Sequence, residues 1–78
     1  MFIKRFIFIS PKEKSLILDH IEELGLSVRT IASDNGISCG FIYAYLNGLR
    51  SIDSDITLIL NKYGVFFDFN TLSVIVKK

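Results

Sequence analysis

The chain has 78 residues, room for one domain built on one core. Half of it is hydrophobic, with one Pro and five Gly, which excludes a disordered tail or a collagen-like repeat, and its single cysteine excludes a scaffold stapled by internal disulfides. Nine Lys and Arg against eight Asp and Glu leave a net charge of +1, the balance of neither a polybasic nucleic-acid sponge nor an acidic tail.

The opening, MFIKRFIFIS, has two basic residues and a short apolar run, Phe6 to Ile9, too short for a secretory leader. No stretch approaches the roughly 20 apolar residues of a membrane span. The expectation is a single soluble domain over 1–78, in the cytoplasm. An apolar fraction this high is more than a small monomer easily hides, so burial against a second chain, as a homodimer or a heteromer, is expected too.

Residues 2–9 are rich in Phe and Ile, and their length and β-branching favour a strand. Ser10-Pro11-Lys12-Glu13 forms a helix start, with Ser10 as N-cap, Pro11 at the first helical position and Glu13 completing a capping box. Leu16, Ile17, His20, Ile21 and Leu24 follow at helical spacing and Gly25 ends the run, so a first helix is predicted over 11–24.

Ser27 caps a second, short helix over 28–34, with Val28, Ile31 and Ala32 on its apolar face. Asn35-Gly36 is a turn dipeptide. Ser38 caps a third helix over 39–46, with Phe41, Ile42, Tyr45 and Leu46 apolar and Asn47-Gly48 at its end. Asp53 and Asp55 suit the start of a fourth helix. Ile52, Ile56, Ile59, Leu60 and Tyr63 form its stripe, and Gly64 closes it. Leu72 to Val76 reads as a strand and Val65 to Phe69 as a second candidate. The two terminal apolar segments are expected to pair, because an unpaired edge invites aggregation.

Residues 27–48 carry a further pattern. Two short helices that cross steeply need a small residue where they touch, and Ala32 lies there. The turn needs a residue free to adopt a left-handed conformation, and Gly36 follows four positions on. With Ile31-Ala32, Gly36-Ile37-Ser38, Ile42 and Leu46-Asn47-Gly48 in this order, SVRTIASDNGISCGFIYAYLNGLRS resembles the helix-turn-helix of the phage repressor and Cro family. NKYGVFF is similar to the Gly-Val ending of that family's fourth helix, and the resemblance spans about 16–66. It implies a mainly α fold: a four-helix, lambda-repressor-like helix-turn-helix domain, with the short terminal β-strands outside the family core.

The resemblance also implies operator binding as a dimer, with the helix that starts at Ser38 in the major groove of double-stranded DNA. Its outward positions are then Cys39, Gly40, Tyr43, Ala44 and Asn47, and Arg29 and Arg50 approach phosphates. This face departs from a base-reading surface in having no Arg, Lys or Gln. Asn47 is its one strong hydrogen-bonding side chain, with Tyr43 and Ser38 weaker. Its aromatic and small residues suit a second use, docking on a repressor protein as an antirepressor or modulator of repression. Both uses stay open on the sequence.

The remaining chemistry is sparse. One His and one Cys make no metal-ligand set, and Cys39 reads as a small packing residue. No nucleophile–base pair, paired carboxylates or glycine-rich phosphate loop stands out. The chain is therefore expected not to be an enzyme, and to need no metal, cofactor or small-molecule substrate.

Overall fold

A computed structural model describes residues 6–77. They form four helices and a two-stranded antiparallel sheet: α1 (Pro11–Glu23), α2 (Val28–Asp34), α3 (Cys39–Leu46), α4 (Ser54–Asn61), β1 (Val65–Asp68) and β2 (Ser73–Val76). The domain is compact and mainly helical.

Each helix begins on a side-chain cap that satisfies an otherwise unpaired amide. Ser10 Oγ accepts from the Glu13 amide at 3.2 Å while Glu13 Oε1 accepts from the Ser10 amide at 3.0 Å, so the capping box is complete. Ser27 Oγ accepts from Thr30 N, Ser38 Oγ from Phe41 N, and Asp53 Oδ1 from Ile56 N. Helices this short are unstable alone, and packing completes what the caps begin. Ile17, Ile21, Ile31, Ile42, Tyr45, Leu46, Ile56, Leu60 and Val65 are all essentially inaccessible to solvent. Burying a side chain of this size contributes about 1.5–3 kcal/mol.

Ala32 is buried, and its carbonyl accepts from the Ile37 amide at 3.0 Å across the bend between α2 and α3. Gly36, at φ +66°, makes that bend. Asn35 braces the end of α2 against the end of α4. Its amide nitrogen donates to Ile31 O at 2.7 Å and to the Tyr63 hydroxyl at 3.0 Å, while its oxygen accepts from Lys62 Nζ at 2.8 Å.

In the sheet Val65 pairs with Val76 and Asp68 with Ser73. Asp68 Oδ1 accepts from the amides of Asn70 and Thr71, and Leu72 takes a left-handed φ of 56° to finish the turn. The sheet packs on α4 through β1 and on α1 through β2. His20 is buried beneath it, and its Nε2–H donates to the Tyr63 carbonyl at 2.7 Å. Gly64, at φ +83°, lets the backbone of Lys77 close over that bond, and the Lys77 amide donates to Gly64 O at 2.7 Å.

The expected pairing of the two chain ends is not what the described residues show. Among the described residues the sheet is made from the C-terminal end alone. Residues 2–5 of the predicted strand lie outside the described residues, and 6–9 join no ladder. They alternate as a strand does, with Ile7 and Ile9 buried at 2% and 4% exposure and Phe6 and Phe8 each 56% exposed. Their backbone meets the connection after α3 instead. Ile52 N donates to Ile7 O at 2.8 Å, and Gly48, at φ +72°, lies so near Ile9 O that a Cβ there would be 2.8 Å from it. Length and β-branching favoured a strand here, but the segment's partner is a loop, and the described residues form no ladder with it.

Candidate functional site

Of the residues that the sequence singles out, all but Arg29 lie on or beside α3. Its inner side is occupied by Ile42, Tyr45 and Leu46. Ser38, Gly40, Tyr43 and Asn47 are exposed, and Cys39 and Ala44 are half-buried. An eight-residue helix with three positions inside leaves this opposite side to solvent. Phe41 lies at the boundary, edge-on to Tyr45 at 5.4 Å.

Arg50 is exposed but not free. Its guanidinium lies 4.8 Å from the centre of the Tyr45 ring and 5.6 Å from that of Phe41, and its Nη2 is 3.7 Å from Asp53 Oδ2. The same Asp53 oxygen accepts the Tyr45 hydroxyl at 2.7 Å. Burial, reinforced by the adjoining carboxylate, pushes the Tyr45 phenol up to about 12. Burial also pushes the Asp53 carboxyl up, but the bonds from Tyr45 and the Ile56 amide and the charge of Arg50 outweigh it and hold that carboxyl below its ordinary value. Arg50 thus lies against the two rings, with Asp53 offsetting part of its charge.

Lys14, which its sequence position marks as a solvated charge of the first helix rather than a DNA-facing one, belongs to this face. It projects from the first turns of α1, and its Nζ donates to Asn47 Oδ1 at 2.6 Å. The same ammonium is 5.8 Å from the centre of the Tyr43 ring. Tyr43 also borders a shallow hollow with Leu18 and Glu22 of α1 and with Ser27 and Val28 at the start of α2. Positions 14, 18 and 22 form one stripe of α1, so that stripe runs beside Tyr43 and Asn47. Helical spacing gives the stripe, but only the way α1 lies against α3 makes it a neighbour of this face.

Arg29 is exposed on the first turn of α2. Cys39 is a free thiol, and among the described residues no group of three or more His, Cys, Asp or Glu is placed to hold a metal ion. A separate open hollow of about 580 Å³ lies between Leu24, Leu26, Tyr63, Gly64, Phe66 and Lys77, away from α3. Among the described residues, no helix is long and apolar enough to cross a membrane.

No family model, curated protein or solved structure matches the chain.

Proposed function

We propose that the protein is a small transcriptional regulator of the phage or mobile-element type. In this reading it has a lambda-repressor-like helix-turn-helix, with α2 and α3 as the paired helices, and binds double-stranded operator DNA through α3 as a dimer in the cytoplasm. The observation that carries this reading is the make-up of the α3 face. It exposes Ser38, Gly40, Tyr43 and Asn47, contains no acidic residue, and is bordered by Lys14 and Arg50, with Glu22 and Asp53 beyond them. A helix with small residues at its start and cations at its borders suits close approach to a polyanionic groove. Dimerisation is supported by the exposure of Phe6, Phe8, Leu49 and Ile75, which a partner chain would cover.

A mobility-shift titration against a random-sequence duplex pool tests this. A shift that weakens steeply with salt is expected, together with enrichment of one sequence. Arg29→Ala is expected to lower the slope of log affinity against log salt by about 0.9, the share of one phosphate.

A second reading, docking on a repressor protein, is favoured by one specific observation. Arg50 is drawn onto the aromatic rings and toward Asp53, which reduces the charge it offers a phosphate. This use expects little shift with DNA alone, a stable heteromer with weak salt dependence, and a greater loss from Tyr43→Ala than from Arg50→Ala.

A further inference from the structure

The contact between Lys14 and Asn47 fixes what the far end of α3 can bind. An ammonium only donates, so the 2.6 Å bond settles the orientation of the Asn47 amide: its oxygen faces Lys14. The Nδ2 hydrogens are left as the part of that amide turned away from the ammonium. A lysine ammonium carries three hydrogens and this bond uses one. The pair therefore offers hydrogen-bond donors and one positive charge, in a place where the amide oxygen is already engaged.

Base edges in the major groove present mixed patterns of donors and acceptors, and an asparagine reads adenine by using its oxygen and nitrogen together. A phosphate presents acceptors only and carries charge. The donor set of Lys14 and Asn47 matches the second ligand. Position points the same way. Asn47 is the C-cap of α3, whereas helices of this kind meet base edges with their N-terminal residues. We infer that Lys14 and Asn47 together form a binding site for a backbone phosphate of duplex DNA. The inference rests on the DNA-binding reading and extends it: Asn47 serves as a phosphate holder, and Lys14 of α1 is both its orienting partner and a direct contact.

Lys14 also lies near the negative end of the α3 dipole, which is a structural reason for its position without any ligand. The experiment must separate the two roles. The full chain and its variants Lys14→Met, Lys14→Arg, Asn47→Ala and Asn47→Asp are titrated against a fixed mixed-sequence duplex and against duplexes enriched from a random pool, over a range of sodium chloride concentrations. Arg29→Ala is the control, and thermal unfolding of every variant is recorded beside the binding. Lys14→Met is expected to weaken binding several-fold by about the same factor on every duplex, and to lower the salt slope by about 0.9. Lys14→Arg is expected to retain the slope. Asn47→Asp, which sets a carboxylate against the ammonium, is expected to lose more affinity than Asn47→Ala.

Native protein that shifts no duplex would end the DNA reading and this site with it. If native protein binds and Arg29→Ala lowers the slope while Lys14→Met does not, the DNA reading stands and the phosphate site is overturned. A Lys14→Met chain with a lower melting temperature and unchanged binding also overturns it. So does a change in the enriched sequence in place of a uniform loss, because that would make the pair a base reader.

Discussion

The Tyr45 hydroxyl, buried in the core, donates to the Asp53 carboxylate at 2.7 Å and so joins α3 to the N-cap of α4. One oxygen of Asp53 takes this bond and the other caps the helix. Tyr45→Phe keeps the ring packing and removes only the bond. It is expected to cost about 1.5–2 kcal/mol in urea unfolding near neutral pH, the lower part of the range for a charged acceptor because the Asp53 side chain is 39% exposed.

The pH dependence of that loss has a definite sign. The folded Asp53 carboxyl titrates below its unfolded counterpart, which lies at about 3.9. Its contribution is therefore present above that unfolded value and disappears as pH falls through the folded one. Tyr45 behaves in the opposite sense. Its folded phenol titrates at about 12, above the unfolded value of about 10, so its contribution is complete below the latter and is lost as pH rises through the former. Unfolding curves of the native and Tyr45→Phe chains are expected to converge toward both extremes, and an equal gap at all pH values would refute the coupling.

Gly36 and Gly48 share a left-handed backbone but differ in their surroundings. A Cβ at Gly36 meets nothing within 4 Å, whereas one at Gly48 comes within 2.8 Å of the Ile9 carbonyl. Gly36→Ala is expected to cost only the conformational strain, roughly 1–2 kcal/mol. Gly48→Ala is expected to cost more and to free the segment around Ile9. Chemical denaturation gives the first comparison, and limited proteolysis at residues 6–10 gives the second.

The bond from His20 to the Tyr63 carbonyl holds the hairpin end of the fold on α1. His20→Ala removes the donor and leaves a cavity in a buried position, for an expected loss of about 2–4 kcal/mol. His20→Gln keeps a donor and is expected to lose less. Amide exchange at Lys77, whose N–H donates to Gly64 O, is expected to accelerate most in His20→Ala.

Ala32 is buried on α2, and its carbonyl takes part in the bend toward α3. Enlarging a buried alanine forces its neighbours apart, so Ala32→Leu is expected to destabilise the chain by about 1–3 kcal/mol. Near-ultraviolet dichroism, which reports the setting of Tyr45 and Phe41, is expected to change with it.

How much of this was legible in the sequence follows from chain distance. Ser10, Ser27 and Ser38 cap amides three positions ahead, so their roles are local and the helix starts could be read directly. Helical spacing likewise placed Ile42 and Tyr45 inside and Tyr43 outside. The N-terminal strand failed for a non-local reason: both faces of 2–9 carry apolar residues and one cation, so the segment alone shows neither which side turns inward nor that it would meet the loop at Ile52. The place of Lys14, which reads from the sequence as a solvated charge, was hidden in the same way. Its partner Asn47 is 33 residues away, and nothing in the spacing of α1 tells which side lies beside α3.

The His20–Tyr63 bond joins positions 43 residues apart, which ties the timing of folding to the direction of synthesis. The first helix leaves the ribosome well before the carbonyl that its imidazole will meet, and before Val65, which is fully buried in the finished core. Until that stretch emerges, α1 lacks the strand β2 that packs on it, so the nascent polypeptide reaches its native state late, in a step dominated by closure of distant segments.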